Sequence, residues 1–310
     1  MLMLDARNVY RKVTRKIYDF SPEQMKNLAA IVWLYRGQRE RFLDLVKGYL
    51  GRVCAESRAV AEALAPFDAT LTDMWGRFDA LAIAVAGHDG ITDEQKKALS
   101  DARTELRGAA TLYAVDAKTL LDGLASFGRE FADALPDTNE SQHAARLAFD
   151  AQAEKCRGLV KQVDLLYKLA ARVTDLAASL AADDAIAVAY DRRTAGRLVK
   201  QLDAQRKAAV EQLKLAAYFH RQVAWLQERF PGAELHDVPG LVKMVDRAAI
   251  EAADWSLTPG RYVGVAPAEV DEDFDFERTL RDIHIELTDL NKESVDLATR
   301  IQQNFEELAA

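Results

Sequence analysis

The residues best suited to chemistry in this 310-residue chain are basic side chains near its N-terminus. Their spacing of about four residues matches one face of a helix, so residues 8–18 are predicted to form an amphipathic helix with a basic stripe. DNA phosphates need positive charge but no base-specific geometry, so such a stripe can contact DNA. Two other uses stay open: a solvated face, or pairing with the acidic segment 269–275. The stripe begins with Arg7, and the predicted phosphate contacts are Arg11, Lys12, Arg15 and Lys16.

Metal and thiol chemistry has weaker support in the sequence. His284 and Glu286 have the His-x-Glu spacing of zinc deaminases, but the chain has no Pro-Cys-x-x-Cys segment to complete that site. Residues 87–90 contain one histidine with no second histidine or cysteine nearby, which favours a polar turn. Cys54 and Cys156 are too distant in sequence for a paired-cysteine site. We therefore predict no metal and no disulfide framework, as is typical of a cytosolic protein.

The composition indicates long helices rather than a β sandwich or barrel. The chain has 53 alanines but only 15 glycines and 7 prolines. Its net charge of −8 argues against a general nucleic-acid coat. The charge is uneven, however: residues 1–52 carry 11 basic and 5 acidic side chains, whereas residues 266–310 carry 4 basic and 13 acidic side chains. Every apolar run is shorter than the ~18 residues that span a bilayer, and no signal-peptide pattern is present. We expect a soluble, cytoplasmic protein without membrane contact.

Helix signals divide the chain into three regions. In region 1–135, Ser21 opens a capping box, Pro66 is predicted to stop a long helix, and Thr92 opens another capping box. Region 139–230 is predicted to be a long antiparallel helical hairpin, because apolar residues follow a heptad pattern from Leu159 to Leu180. The expected fold is all-α: an elongated bundle with this hairpin, a C-terminal coiled-coil-like helix and at most a minor β pair.

Region 231–310 changes character. A short helix is expected from Asp237 to about Ala253, followed by an irregular segment in which Pro259-Gly260 suits a type II turn between short strands. Trp255 and Tyr262 are expected to anchor that segment in a core, or else to face a partner domain. An acidic linker then leads to a final helix with one apolar stripe. The stripe is Phe276, Leu280, Ile283, Leu287, Leu290, Leu297, Ile301 and Phe305.

Several segments near the two ends carry the motifs of one family in the same order. They are residues 2–7 (LMLDAR), 20–24 (FSPEQ), 31–37 (IVWLYRG), 237–243 (DVPGLVK) and 254–264 (DWSLTPGRYVG), with residues 282–287 and 304–308 in the last helix. They resemble the C-terminal portion of the modification (M) subunit of type I restriction-modification systems, an adenine-N6 DNA methyltransferase. Residues 65–230 resemble nothing specific.

This resemblance implies an assembly role rather than catalysis by the chain alone. The family's catalytic Asn-Pro-Pro-Phe/Tyr loop and its S-adenosylmethionine-binding turn are absent, so the cofactor is expected only in the intact subunit. Residues 2–7 look like the last strand of the methylase domain, and the chain looks like a fragment of the enzyme. The terminal apolar stripe would dock on the specificity subunit, with a second M subunit, in a two-to-one complex that contacts DNA. The alternatives are an intramolecular use of that stripe, or a free-standing helical scaffold unconnected with methylation.

Overall fold

The structure, a computed structural model, describes residues 1–12, 17–131 and 133–266, and five isolated positions beyond them: Leu287, Ser294, Leu297, Ala298 and Ile301. The chain divides into two units, residues 1–263 and residues 264–310. The elements of the first unit, in chain order, are β1 (Leu2–Leu4), β2 (Arg11–Lys12), β3 (Tyr18–Asp19), α1 (Pro22–Tyr35), α2 (Arg39–Ala86), α3 (Asp93–Phe131), α4 (Asn139–Leu180), α5 (Asp184–Ala187), α6 (Arg192–Arg229), β4 (Val242–Met244) and α7 (Arg247–Ala252), followed by a 3-10 turn at Pro259–Arg261.

Four long helices form the body of the first unit, which confirms the predicted all-α bundle. α2 has 48 residues and would measure about 72 Å at 1.5 Å per residue. α2 and α4 each pack against the other three long helices. The predicted antiparallel hairpin is the pair α4 and α6, and it packs against α2 along the bundle instead of projecting from it.

The predicted heptad seam of α4 is confirmed as the core of the bundle. Its seven positions alternate steps of four and three residues, which keeps them on one side of a supercoiled helix. None of them exceeds 5% exposure, and most are fully enclosed. The seam consists of Leu159, Val163, Leu166, Ala170, Val173, Ala177 and Leu180.

The predicted helix starts are also confirmed by their hydrogen bonds. The Ser21 hydroxyl accepts from the Gln24 backbone N–H at 3.1 Å, and the Gln24 side chain accepts from the Ser21 N–H at 2.8 Å. Thr92 and Gln95 make the same reciprocal pair at the start of α3. Asp191 caps α6 by accepting from the Arg193 N–H at 2.9 Å. These caps satisfy backbone donors that have no partner inside the helix.

The helix predicted over residues 8–18 is wrong, because the structure has a β-hairpin there. β2 pairs antiparallel with β3, with Arg11 opposite Asp19 and Lys12 opposite Tyr18. A spacing of four residues also keeps side chains on one face of a strand, since four is an even number, so the basic periodicity fits either structure. Edge-to-face packing of Tyr10 on Tyr18, with ring centres 5.0 Å apart, is the kind of cross-strand contact that stabilises a hairpin.

Pro66 does not stop a helix, contrary to the sequence prediction, and lies inside α2. A proline there lacks the N–H that would bond to the carbonyl of Glu62, and its ring crowds that carbonyl. The proline itself is exposed, while Leu64 and Phe67 beside it are almost completely buried in the core. Burial of two large side chains, worth about 1.5–3 kcal/mol each, is enough to carry the helix through this defect.

Replacement of Pro66 by alanine should therefore stabilise the bundle. The substitution restores one helical hydrogen bond and removes the ring crowding, so we expect the free energy of unfolding to rise by roughly 1–3 kcal/mol. Urea denaturation followed by circular dichroism measures this change. Ala61→Pro, at an exposed position one turn earlier in α2, is the matched control and should destabilise by about 3 kcal/mol. An unchanged or lower stability of the Pro66→Ala variant would contradict this explanation.

His220 is a buried titratable group between α4 and α6. Its side chain is 7% exposed, its Nε2 lies 2.8 Å from Asp150 Oδ1, and its ring packs against Phe149 with centres 5.4 Å apart. Burial lowers the pKa of His220 below its ordinary value, and the charge of Arg146 acts in the same direction, while Asp150 opposes them. The folded state therefore favours the neutral imidazole.

The stability of the bundle should fall as the pH drops below about 6.5, the ordinary histidine pKa. The unfolded chain binds a proton at His220 more readily than the folded chain. The contribution of neutral His220 to the free energy of unfolding is therefore complete above that pH, and it declines by at most about 1.4 kcal/mol per pH unit below it. Urea unfolding at pH 7.5 and pH 5.5 tests this. His220→Gln, which keeps an amide near Asp150, should show a smaller decline, and an equal decline in both proteins would rule out His220 as the cause.

Candidate functional site

Two segments that are far apart in sequence, residues 2–4 and 242–263, meet in a small core of their own. β1 pairs antiparallel with β4, with Met3 opposite Lys243. Met3 is 3% exposed and packs with Val245, Ile250 and Val263 in a hydrophobic cluster separate from the bundle core. The strand expected within residues 2–7 is thus present at Leu2–Leu4. This cluster joins the N-terminal strand β1 to residues 245–263, although more than 230 residues separate the two segments in sequence.

An ion pair fastens this small core at Gly260. Asp5, 8% exposed, accepts hydrogen bonds from the backbone N–H of Arg7 at 3.0 Å and from its guanidinium at 2.6–3.0 Å. The hydrogen bond with the Arg7 side chain lowers the pKa of Asp5, so the carboxylate stays ionised. A Cβ at residue 260 would lie 2.6 Å from Arg7 Nη2 and 3.3 Å from Asp5 Oδ2. The end of the exposed, flexible Arg7 side chain would have to move to admit such a Cβ, so glycine permits the present close approach of the guanidinium.

The turn expected at Pro259-Gly260 differs in type from the prediction. Residues 259–261 form a 3-10 turn, and Gly260 is not among the residues with positive φ, as the second central residue of a type II turn would be. Short strands do not flank this turn; the strand of this region is β4. β4 lies where the helix from Asp237 was expected, so that prediction is wrong except for α7. The type II prediction is therefore wrong, and the glycine serves packing against Arg7 instead of turn geometry.

The two aromatic residues of the segment have different environments. Tyr262 packs against the small core, and its hydroxyl donates to the Ser256 carbonyl at 2.5 Å. Trp255 is 55% exposed, with the Arg247 guanidinium 5.7 Å from its ring centre. Trp255 also has a φ of +61°, a left-handed conformation that is costly for a bulky residue. Tyr262 is thus the core anchor, and Trp255 presents an apolar ring on the surface.

Arg11, one of the predicted phosphate contacts, lies in a groove of about 560 Å³ between the β-hairpin, the start of α1 and α6. Its guanidinium donates to Asp19 at 2.6 and 3.1 Å, which holds it in place and lowers the pKa of Asp19. Tyr218 at the groove wall lies 2.9 Å from the Ser21 hydroxyl and donates to Glu23 at 3.0 Å. Because Tyr218 donates its proton to Glu23 and the Ser21 hydroxyl is bonded to Tyr218, the groups that the groove offers to an anionic ligand are its cations.

The groove contains four cations of α6 that our sequence prediction did not include. They contribute most of its positive lining, against the acidic Glu23 and Glu211, and they are Arg206, Lys207, Lys214 and Arg221. The signal in the sequence is a seven-residue spacing of basic residues along α6. Lys12 lies in β2, while Arg15 and Lys16 fall outside the described residues.

The terminal apolar stripe is represented by three described positions. Leu287, Leu297 and Ile301 are helical and are 54%, 57% and 60% exposed. Leu287 and Ile301 are two heptads apart in sequence, the spacing of the predicted stripe. The other predicted docking residues lie outside the part of the chain that the structure describes: Phe276, Leu280, Ile283, Leu290 and Phe305.

Within the described ranges, neither a metal-ion cluster nor a membrane-spanning helix is found. No group of three or more His, Cys, Asp or Glu side chains among those residues is arranged to hold a metal ion. None of the helices described combines the length and apolar character needed to cross a bilayer. Both cysteines are buried, and burial raises the pKa of each thiol, to about 12 for Cys156.

Comparisons with known proteins do not assign the chain to a family. Searches against protein-family models, curated proteins and solved structures each found no match. Any function proposed for the chain therefore rests on the geometry of its sites and on the motifs near its two ends.

Gly260→Ala should loosen the contact between the N-terminal segment, at Arg7, and the turn at residue 260. The added methyl group would displace the Arg7 guanidinium from its position over residue 260, so we expect a lower melting temperature. If crowding against Arg7 is the cause, the same substitution should lower the melting temperature less in an Arg7→Ala background. Thermal unfolding of the two single variants and the double variant tests this coupling, and strictly additive effects would contradict it.

Proposed function

We propose that the chain is the C-terminal assembly region of an adenine-specific DNA methyltransferase, the modification subunit of a type I restriction-modification system. In this role it docks the specificity subunit and positions a separate catalytic domain on DNA. S-adenosylmethionine belongs to that catalytic domain, two such subunits join one specificity subunit, and the complex acts in the cytoplasm.

The observation that carries the docking role is the exposure of apolar side chains on the terminal helix. Leu287, Leu297 and Ile301 are each helical and more than half exposed, and Leu287 and Ile301 are two heptads apart in sequence. Large apolar side chains that are over half exposed at heptad spacing favour a partner helix, since full burial is worth about 1.5–3 kcal/mol for each. These gains must exceed the ordering costs of association.

The small core supports the link to a methyltransferase. The two most specific motif segments, residues 2–7 and 254–264, contact each other through Met3 with Val263 and through Arg7 with Gly260. Packing of the two segments against each other thus explains why both occur in one sequence. Within the described chain, β1 pairs with one strand only, β4, which leaves an edge where the sheet of a catalytic domain can continue.

Binding to the cognate specificity subunit tests this proposal. We expect Leu287→Asp with Leu297→Asp to weaken binding roughly 100-fold, because each change places a charge in an apolar interface. Pull-down and isothermal titration with the purified specificity subunit measure affinity and the two-to-one ratio. The matched control is Leu112→Asp with Leu165→Asp, at positions that are 67% and 46% exposed on α3 and α4.

Two results would count against the docking role. One is equal affinity of the docking and control variants, and the other is no binding by the unaltered chain. The second result would favour the alternative, a free-standing helical scaffold without any connection to methylation.

A further inference from the structure

α6 is the basic element of an acidic protein. It carries nine Lys/Arg and three Asp/Glu. In contrast, α2 and α3 each carry six Lys/Arg and seven Asp/Glu, and α4 carries six Lys/Arg and five Asp/Glu. The chain as a whole has a net charge of −8. The positive charge is therefore concentrated on one helix of the bundle and is not spread over its surface.

The cations of α6 are arranged in a column. Five of them recur at seven-residue steps and all five are exposed: Arg193, Lys200, Lys207, Lys214 and Arg221. A second column at the same period is buried: Ala195, Leu202, Ala209, Ala216 and Val223. The two columns differ by two residues, about 200° around the helix axis. The packing that buries the second column therefore turns the α6 cation column directly away from the core.

The column spans about 42 Å in steps of about 10.5 Å, at 1.5 Å rise per residue. Arg11 of β2 lies beside the column, because it lines the same groove as Lys207, Lys214 and Arg221. The acidic residues of α6 reduce this charge only in part. Asp203 pairs with Arg206 and Lys207, Glu228 pairs with Arg146, and Glu211 lies between two of the column's lysines.

The α6 surface suits a polyanion better than a protein. Among the residues of α6, all of which the structure describes, no large apolar side chain is exposed. Stable protein interfaces depend on buried apolar and aromatic anchors, which this face lacks. Binding to a nucleic-acid backbone depends instead on neutralising phosphates and releasing their counterions.

We infer that the α6 cation column binds the phosphate backbone of double-stranded DNA. A duplex has one phosphate charge per about 1.7 Å of axis, so the column would lie along about 12 base pairs and neutralise up to about five phosphates. The contact is independent of sequence and fixes the orientation of the bundle along the duplex. The choice of DNA as the nucleic acid rests on the proposed function; the column itself does not depend on docking to the specificity subunit.

Salt-dependent binding of a 20-base-pair duplex to the chain alone tests this inference. Fluorescence anisotropy between 50 and 200 mM NaCl should give a plot of log K against log salt with a slope of about −4. Lys200→Gln, Lys207→Gln and Lys214→Gln together should make the slope shallower by about 2.7, that is about 0.9 for each lost phosphate contact. The matched control is Lys97→Gln, Lys161→Gln and Lys168→Gln, exposed lysines of α3 and α4 with the same total charge change.

Three outcomes would overturn the inference: no duplex binding by the unaltered chain at 50 mM salt, an equal effect of the two triple variants, or displacement of the duplex by poly-glutamate at equal charge concentration. The last would identify the column as a surface for acidic protein. Because this assay omits the specificity subunit, its failure is distinguishable from a failure of docking. If the chain binds DNA but does not dock on the specificity subunit, the inference holds. If it docks but does not bind DNA, the inference is overturned.

Discussion

Burial of an apolar repeat along helices of 38 to 48 residues is the constraint on which the rest of this structure depends. A helix of that length is stable only if a continuous face is removed from water, since packing contributes more than intrinsic helix propensity. The seam of α4 and the buried column of α6 meet this requirement at the same seven-residue period. The same packing carries α2 through Pro66, where the local backbone preference opposes a helix.

Core packing also decides which residues face outward. Because Leu202 and Val223 must face the bundle, the cations two residues before them are directed to the opposite side of α6. A column of positive charge is thus a geometric consequence of a heptad core combined with basic residues at one repeat position. Arg11 joins this surface only through the tertiary fold, which places the β-hairpin beside α6.

The joined ends illustrate a second kind of dependence. Met3 contributes to a core whose other members come from residues 245–263, so Met3 and these residues depend on each other for their burial. The ion pair of Asp5 with Arg7 then lies against Gly260, so a side chain at this position would displace the Arg7 guanidinium. Two segments that look independent in sequence therefore form one structural unit.

Local chemistry and periodicity are sufficient to predict the caps at Ser21 and Thr92, the α4 seam and the all-α class. The β-hairpin around Arg11 needed the three-dimensional contacts, because a four-residue spacing fits a helix and a strand equally well. The same holds for α2 at Pro66, where distant packing outweighs a local penalty, and for Gly260, whose need for space arises from a side chain about 250 residues away in sequence. Part of the candidate site, Arg11, was predictable from its charge, but its α6 partners became visible only once the buried face of that helix was known. Local signals specify elements, whereas the orientation and neighbours of a surface depend on contacts between residues far apart in the chain.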